Sequence, residues 1–244
     1  MKVGLFIPCY VDQFYPQVAI AALELLEKLG CEVIFPTNQT CCGQPMANSG
    51  FDHFSKGCNR NFIKNFEGIE YIVCPSGSCA LHIKDHLHDD AQKAEADRIR
   101  KNVYELSEFL VDVLQVENLQ AKFPYKVGFH SSCHGQRGLH LSSMSETMLP
   151  SFSKPAFLLN MVQGIEMVGT ERVDECCGFG GTFSVFEEAV SAKMGKDRIA
   201  EHEANQVSYI TGVDMSCLMH LEGILKRQKS CIQVKHLAEI LNAN

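Results

Sequence analysis

Two adjacent cysteines open a glycine-rich turn at Cys176-Cys177-Gly178-Phe179-Gly180-Gly181, and an earlier copy of the element stands at Cys41-Cys42-Gly43. Each copy has a cysteine well before it and another well after it: Cys9 and Cys79 flank the first, Cys133 and Cys217 the second. Four thiolates that converge on one spot make a soft-ligand site, which selects zinc or an iron–sulfur cluster over magnesium or calcium. Gly43 and Gly178 can take positive φ and let backbone N–H groups approach closely. Such amides hydrogen-bond to cluster sulfides and shift reduction potential, a use that zinc does not share. Side-chain identity alone leaves zinc and cluster both open.

These cysteines must be positioned by the elements between them. Lys2 to Cys9 is a β-rich apolar run that ends on a cysteine, at the tip of a strand where open α/β sheets place their chemistry. Val18, Ala22, Leu25, Leu26 and Leu29 recur at helical spacing before Gly30, and Glu32 to Pro36 reads as a second strand leading into Cys41. From Met46 to about Phe66 the pattern is helical again, with Phe54, Cys58, Phe62 and Phe66 on one face. Tyr71 to Cys74 reads as a third strand and runs into Pro75-Ser76-Gly77-Ser78-Cys79, a turn that opens a helix. About Gln92 to Leu114 reads as one longer helix, and Gln115 to Pro124 is the linker candidate.

After Pro124 the chain begins again. Lys126-Val127-Gly128-Phe129 echoes Lys2-Val3-Gly4-Leu5, and Cys133 follows Val127 at the step by which Cys9 follows Val3. Cys176-Cys177-Gly178 answers Cys41-Cys42-Gly43, Tyr209-Ile210 answers Tyr71-Ile72, and Ser216-Cys217-Leu218-Met219-His220 answers Ser78-Cys79-Ala80-Leu81-His82. Landmarks that recur in one order imply an internal duplication, here divided into repeats 1–122 and 123–244. The second repeat closes with a strand at Ile232 to Val234 and a helix from His236 to Leu241. The expected fold is α/β: two Rossmann-like repeats with mostly parallel sheets, related by approximate two-fold symmetry, with the cysteines collected at the sheet tips that face the junction.

Composition narrows the function. A net charge of −7 and a pI near 5.8 give no footprint for nucleic acid or an anionic membrane. The apolar start is too short for a signal peptide or a spanning helix, so no membrane insertion and a cytoplasmic location are expected. Twelve cysteines among 244 residues are then not a disulfide framework, because the cytosol keeps thiols reduced and a chain of this length builds its own core. Gly178 to Gly181 has neither the Lys-Ser/Thr of a P-loop nor dinucleotide-fingerprint spacing.

The doubled Cys-Cys-Gly element, with its upstream cysteines and the Ser-Cys-x-x-His element all in order, resembles the cysteine-rich (CCG) domain family. That family occurs in the B subunit of heterodisulfide reductase and in the iron–sulfur subunits of glycolate oxidase and anaerobic glycerol-3-phosphate dehydrogenase. The resemblance covers nearly the whole chain, and a short chain of two such domains is most similar to a member of the three-protein bacterial L-lactate oxidation system. It implies one or two [4Fe-4S] clusters on Cys9, Cys41, Cys42, Cys79, Cys133, Cys176, Cys177 and Cys217, with zinc as the alternative. It implies an electron-transfer role in the oxidation of L-lactate to pyruvate, beside a ferredoxin-domain iron–sulfur subunit and a third subunit. The alternatives are disulfide reduction of heterodisulfide reductase type and a structural zinc or docking module.

The chain departs from the family pattern, which ends in Cys-x-x-Cys, at Ser76 and Asp214. Four matching cysteines per copy remain, which suits an ordinary [4Fe-4S] centre. No ferredoxin-type cysteine run is present, so electrons must come from or go to another subunit. His82 and His220, three residues after Cys79 and Cys217, stand where an imidazole can serve the bound group or cap local backbone. Cys74 reads either as a fifth ligand or as a strand residue, and Cys31, Cys58 and Cys231, which have no repeat partner, read as core. His53, His130 and His134 carry no assignment.

Overall fold

The computed structural model describes residues 1–147 and 150–243; Asn244, at the end of the second repeat expected above, lies outside the described residues. The first half runs β1 (Lys2–Leu5), α1 (Cys9–Phe14), α2 (Pro16–Lys28), β2 (Glu32–Ile34), α3 (Gln44–Asn48), a 3-10 turn (Asp52–Ser55), α4 (Lys56–Phe66), β3 (Tyr71–Cys74), α5 (Gly77–His86), α6 (Lys93–Asn102), β4 (Val103–Glu105) and α7 (Leu106–Glu108). The second runs β5 (Lys126–His130), a π-helical turn (His134–Gly138), α8 (Lys154–Leu159), β6 (Glu166–Val168), α9 (Phe183–Phe186), α10 (Glu188–Ala204), β7 (Tyr209–Gly212), α11 (Met215–Gln228), β8 (Gln233–His236) and α12 (Leu237–Leu241). No helix among the described residues is long and apolar enough to cross a membrane.

Each half builds one four-stranded, all-parallel sheet, in the orders β2-β1-β3-β4 and β6-β5-β7-β8. The molecule is thus α/β with two similar halves. Parallel strands need crossovers, and the helices that supply them bury one apolar stripe each. In α2 the stripe is Val18, Ala21, Ala22, Leu25 and Leu26, begun by a proline in the first turn and closed past Leu29 by Gly30. In both sheets the chain steps out to one side of its first strand and returns to the other. β1/β3 and β5/β7 are therefore the switch points, outside whose carboxyl ends open α/β sheets bind ligands.

The halves share a continuous core and are tied together by polar contacts. α2 packs on α12 of the other half, and Lys28 donates to Asn242 at 2.7 Å. At the junction the Gly77 N–H donates to the Val213 carbonyl at 3.0 Å, and the Ser78 N–H donates to the buried carboxylate of Asp214 at 2.7 Å.

Four local expectations are corrected. The 92–114 stretch is not one helix: Val103–Glu105 leaves the helical path and pairs with β3, burying Val103 and Glu105 at the sheet edge. The Met46–Phe66 helix is broken by the 3-10 turn, which resets the phase, so Phe54 is exposed while Phe62 and Phe66 are buried. Gln115 to Pro124 is no loose linker, because Val116, Leu119, Ala121 and Phe123 are buried. Cys231 is exposed at the turn before β8 instead of lying in the core.

Candidate metal centre

The cysteines leave the strand ends as the parallel topology dictates. Cys9 is not the strand tip itself but the first residue of α1, just beyond β1, and Cys79 lies in the first turn of α5, just beyond β3. Cys41 and Cys42 come from the loop after β2. The second half repeats the layout: Cys133 follows β5, Cys176 and Cys177 follow β6, and Cys217 lies in the first turn of α11 after β7. Residues far apart in sequence are thus gathered at the switch points. All eight line one cavity of about 460 Å³, between the halves, whose wall also includes Tyr10, Phe179 and Asp214.

Within the first set the thiols of Cys9 and Cys41 stand 3.8 Å apart, and those of Cys42 and Cys79 3.4 Å apart. The Cys-Cys-Gly turns are closed by glycines at φ 98° (Gly43) and 88° (Gly178), which a side chain would strain. This geometry aims the Gly43 N–H at the Cys41 sulfur (3.4 Å) and the Gly178 N–H at the Cys176 sulfur (3.3 Å).

The same contacts choose which thiol ionises. Hydrogen bonds from the Cys42 and Cys9 thiols hold Cys41 down at about 2 against its burial, with help from the Gly43 amide and His82. Cys176 is held at about 2 by Cys133, Cys177 and the Gly178 amide. The donors are pushed the other way, Cys9 by its bond to Cys41 and Cys133 by its bond to Cys176, each also by burial. In each set one sulfur thus lies among the other thiols and a backbone amide, and the four would ligate as thiolates once they lose their protons.

The remaining candidates fall into place around this frame. His82 is buried behind the first turn, against Gly43, and burial drops its imidazole to about 4. His220 holds the second turn, with its Nε2 in a 3.3 Å contact with the Ser191 carbonyl. Both histidines thus stand beside the Cys-Cys-Gly turns, His82 against Gly43 and His220 on Ser191, whose carbonyl a Cβ on Gly178 would meet. Cys74 is fully buried at the end of β3, donates to the Ser76 carbonyl at 3.6 Å and does not line the cavity. Cys31 is buried, and Cys58 is half-buried beside Gly43. His53 lies on Phe54 at the surface, and His134 lines the cavity.

Sequence reasoning passed over two positions. Asp214 caps α11 through Ser216 and at the same time accepts from Ser78 of the other half. His130, at the end of β5, has its donor atom grouped with the sulfurs of Cys177 and Cys217, all within 4.8 Å of one another. The signal for it was one residue beyond the repeat echo, where Phe6 of the first half becomes His130.

Comparison with known proteins agrees with this layout. A family model for the cysteine-rich domain, CCG, matches residues 3–84 and 127–222, one match per half. The chain is 41% identical to lactate utilization protein A of Geobacillus kaustophilus (strain HTA426), over 100% of this chain and 99% of that protein. It is 42% identical to lactate utilization protein A of Bacillus licheniformis, over 100% of both. Among solved structures, a hypothetical protein from Helicobacter pylori superposes with a TM-score of 0.59 at 12% identity, covering 98% of this chain and 48% of that one, a likeness of fold alone.

Proposed function

The chain belongs to the CCG cysteine-rich domain family, and from that premise we propose that it is an iron–sulfur electron-transfer subunit of a system that oxidises L-lactate to pyruvate. The observation that carries the reading is the convergence of all eight repeat-matched cysteines on one cavity between the halves. The same reading divides the chain into repeats 1–122 and 123–244.

The donor chemistry fits such a group. Cys9, Cys41, Cys42 and Cys79 would hold one centre, and Cys133, Cys176, Cys177 and Cys217 the other. A [4Fe-4S] cluster so held supplies reversible one-electron storage. The protein's own contribution is to place two amide dipoles, from Gly43 and Gly178, against thiolate sulfur, where they stabilise negative charge. Tyr10 and Phe179, edge to face at 6.2 Å across the halves, narrow the access of water. The lactate role rests on the relatives named above. A ferredoxin-domain iron–sulfur subunit and a third subunit would complete the path, and exposed Val185, which lines the cavity, with exposed Phe186 beside it, offers an apolar edge for docking.

One observation favours zinc as the second reading. Sulfurs bound to a single tetrahedral metal at about 2.3 Å stand roughly 3.8 Å apart, and the Cys9–Cys41 separation is 3.8 Å. Iron, acid-labile sulfide and zinc assays on protein purified without oxygen decide between them. Iron with matching sulfide supports the electron-transfer reading; stoichiometric zinc without sulfide removes it.

A further inference from the structure

The two halves place their cysteines alike, yet the walls behind the thiols differ. Strand register makes Val3 and Val127 equivalent, since they pair with Tyr71 and Tyr209, and three residues on this sets Phe6 opposite His130. The helices behind them correspond as well. A Cβ on Gly4 would meet Phe66, and one on Gly128 would meet His202; one on Gly43 would meet Ser55 and Cys58, and one on Gly178 would meet Ser191 and Met194. These pairs share one constant offset along α4 and α10, which sets Phe62 opposite Arg198.

In the first half the three positions form a dry aromatic cluster, with Phe6–Phe62 at 4.9 Å and Phe62–Phe66 at 4.6 Å. In the second they are His130, Arg198 and His202, equally buried. Arg198 spends Nη1 on the Arg172 carbonyl and on Glu201 (3.1 Å). Among the described residues, both ring nitrogens of His130, both of His202, and Nε and Nη2 of Arg198 have no hydrogen-bond partner. A buried polar atom left unmatched costs free energy that an aromatic ring in the same place would not. The replacement of three phenylalanines therefore calls for a partner, and the His130 end of the cluster reaches the sulfurs of Cys177 and Cys217.

We propose that His130 is a nitrogen donor to the group held by the second cysteine set, so that the first centre is all-sulfur and the second is mixed sulfur and nitrogen. The inference rests on the metal-binding reading above. Neutral imidazole is a ligand for iron and zinc alike, and Arg198 and His202 fill the two other positions of the same buried cluster. Beside Cys133, Cys176, Cys177 and Cys217 the imidazole is an added, uncharged donor, so the second set offers a ligand type that the first lacks.

The test uses full-length protein loaded without oxygen with iron and sulfide, or with zinc where that is the metal found. The Cys41→Ala/Cys42→Ala background leaves only the second set to report. X-ray absorption at the edge of the bound metal is expected to show a light-atom shell at about 2.0 Å, and pulsed EPR of the reduced iron form a nitrogen hyperfine coupling. Both are expected to vanish in His130→Phe, which installs the residue the first half carries, and to persist in His202→Phe. Where His130→Phe lowers the thermal midpoint, His130→Gln serves instead. Metal in the second set with an all-sulfur shell, or a nitrogen signal that survives both His130 variants, overturns the proposal and leaves the proposed function standing. Absence of metal from every preparation, the unsubstituted protein included, overturns both.

Discussion

Replacing Asp214 by alanine removes, in one step, a helix cap and a tie between the halves. The carboxylate is buried; one oxygen accepts from the Ser216 N–H (3.2 Å) and hydroxyl (2.6 Å) at the start of α11, the other from the Ser78 N–H in the first turn of α5 (2.7 Å). Loss of a cap costs about 1 kcal/mol, and a buried N–H left without its acceptor about 1–3 kcal/mol. The total, about 3 kcal/mol, lowers the midpoint of a chain this size by about 10 °C at ~2–4 °C per kcal/mol. Asp214→Asn keeps one carbonyl oxygen for two helix ends and should fall between. The residues after Ser78 and Ser216 are Cys79 and Cys217, so both thiol sets lose alignment and metal retained after gel filtration should drop in both. Thermal unfolding and metal analysis on one preparation read the two effects together. A midpoint shift under about 2 °C with full metal content would show that the Ser78–Asp214 contact does not hold the junction.

Three further outcomes follow from local geometry. Gly178→Ala should destabilise more than Gly43→Ala in thermal unfolding: both force a side chain into positive φ, but the added Cβ at Gly178 meets the Ser191 carbonyl at 2.7 Å, whereas at Gly43 it meets Ser55 at 3.0 Å. Glu105 is fully buried and pushed up to about 8 by desolvation, opposed by bonds from Ser107 and Glu108. Its folded value exceeds its unfolded one, so its contribution is present below about 4.3 and is lost as pH rises towards 8, at up to about 1.4 kcal/mol per pH unit. Glu105→Gln should flatten that part of the stability–pH curve in urea unfolding, and an unchanged slope would refute the assignment. Cys42→Ala should remove only the first set's share of bound metal and Cys177→Ala only the second's, by metal analysis against protein concentration; loss of all metal from either variant would mean one shared centre.

How much of this was legible in the sequence depended on whether the signal was local. Tyr71–Cys74 has the boundaries its apolar run suggests, and α2 follows its stripe, because each pattern is self-contained. The gathering of Cys9, Cys42 and Cys79 was legible because parallel strands put their ends on one edge. Val103–Glu105 was hidden: Ile99, Val103 and Leu106 keep helical spacing, and only pairing with β3 across the sheet pulls the segment straight. Phe54 shared the spacing of Phe62, but it lies in the 3-10 turn, outside the helix that sets the phase of Phe62. The role of Asp214 could not be read as more than a missing cysteine, because its partner Ser78 is supplied by the other half.

The junction also explains why a duplicated unit remains fused. A single half would present its thiols at the end of an open sheet, where water and oxygen reach them freely. Here the cavity that all eight cysteines line is walled by both halves, with Tyr10 and Pro45 from the first and Phe179 and Thr182 from the second. The two halves enclose the cavity together, and a partner that reaches one set stands before both. On the electron-transfer reading proposed above, two identical centres in one cavity would give an electron no direction. Exchanging Phe6, Phe62 and Phe66 for His130, Arg198 and His202 behind only one set changes its surroundings without disturbing the cysteine frame, and the duplication supplies the unchanged half as the internal reference against which that difference can be measured.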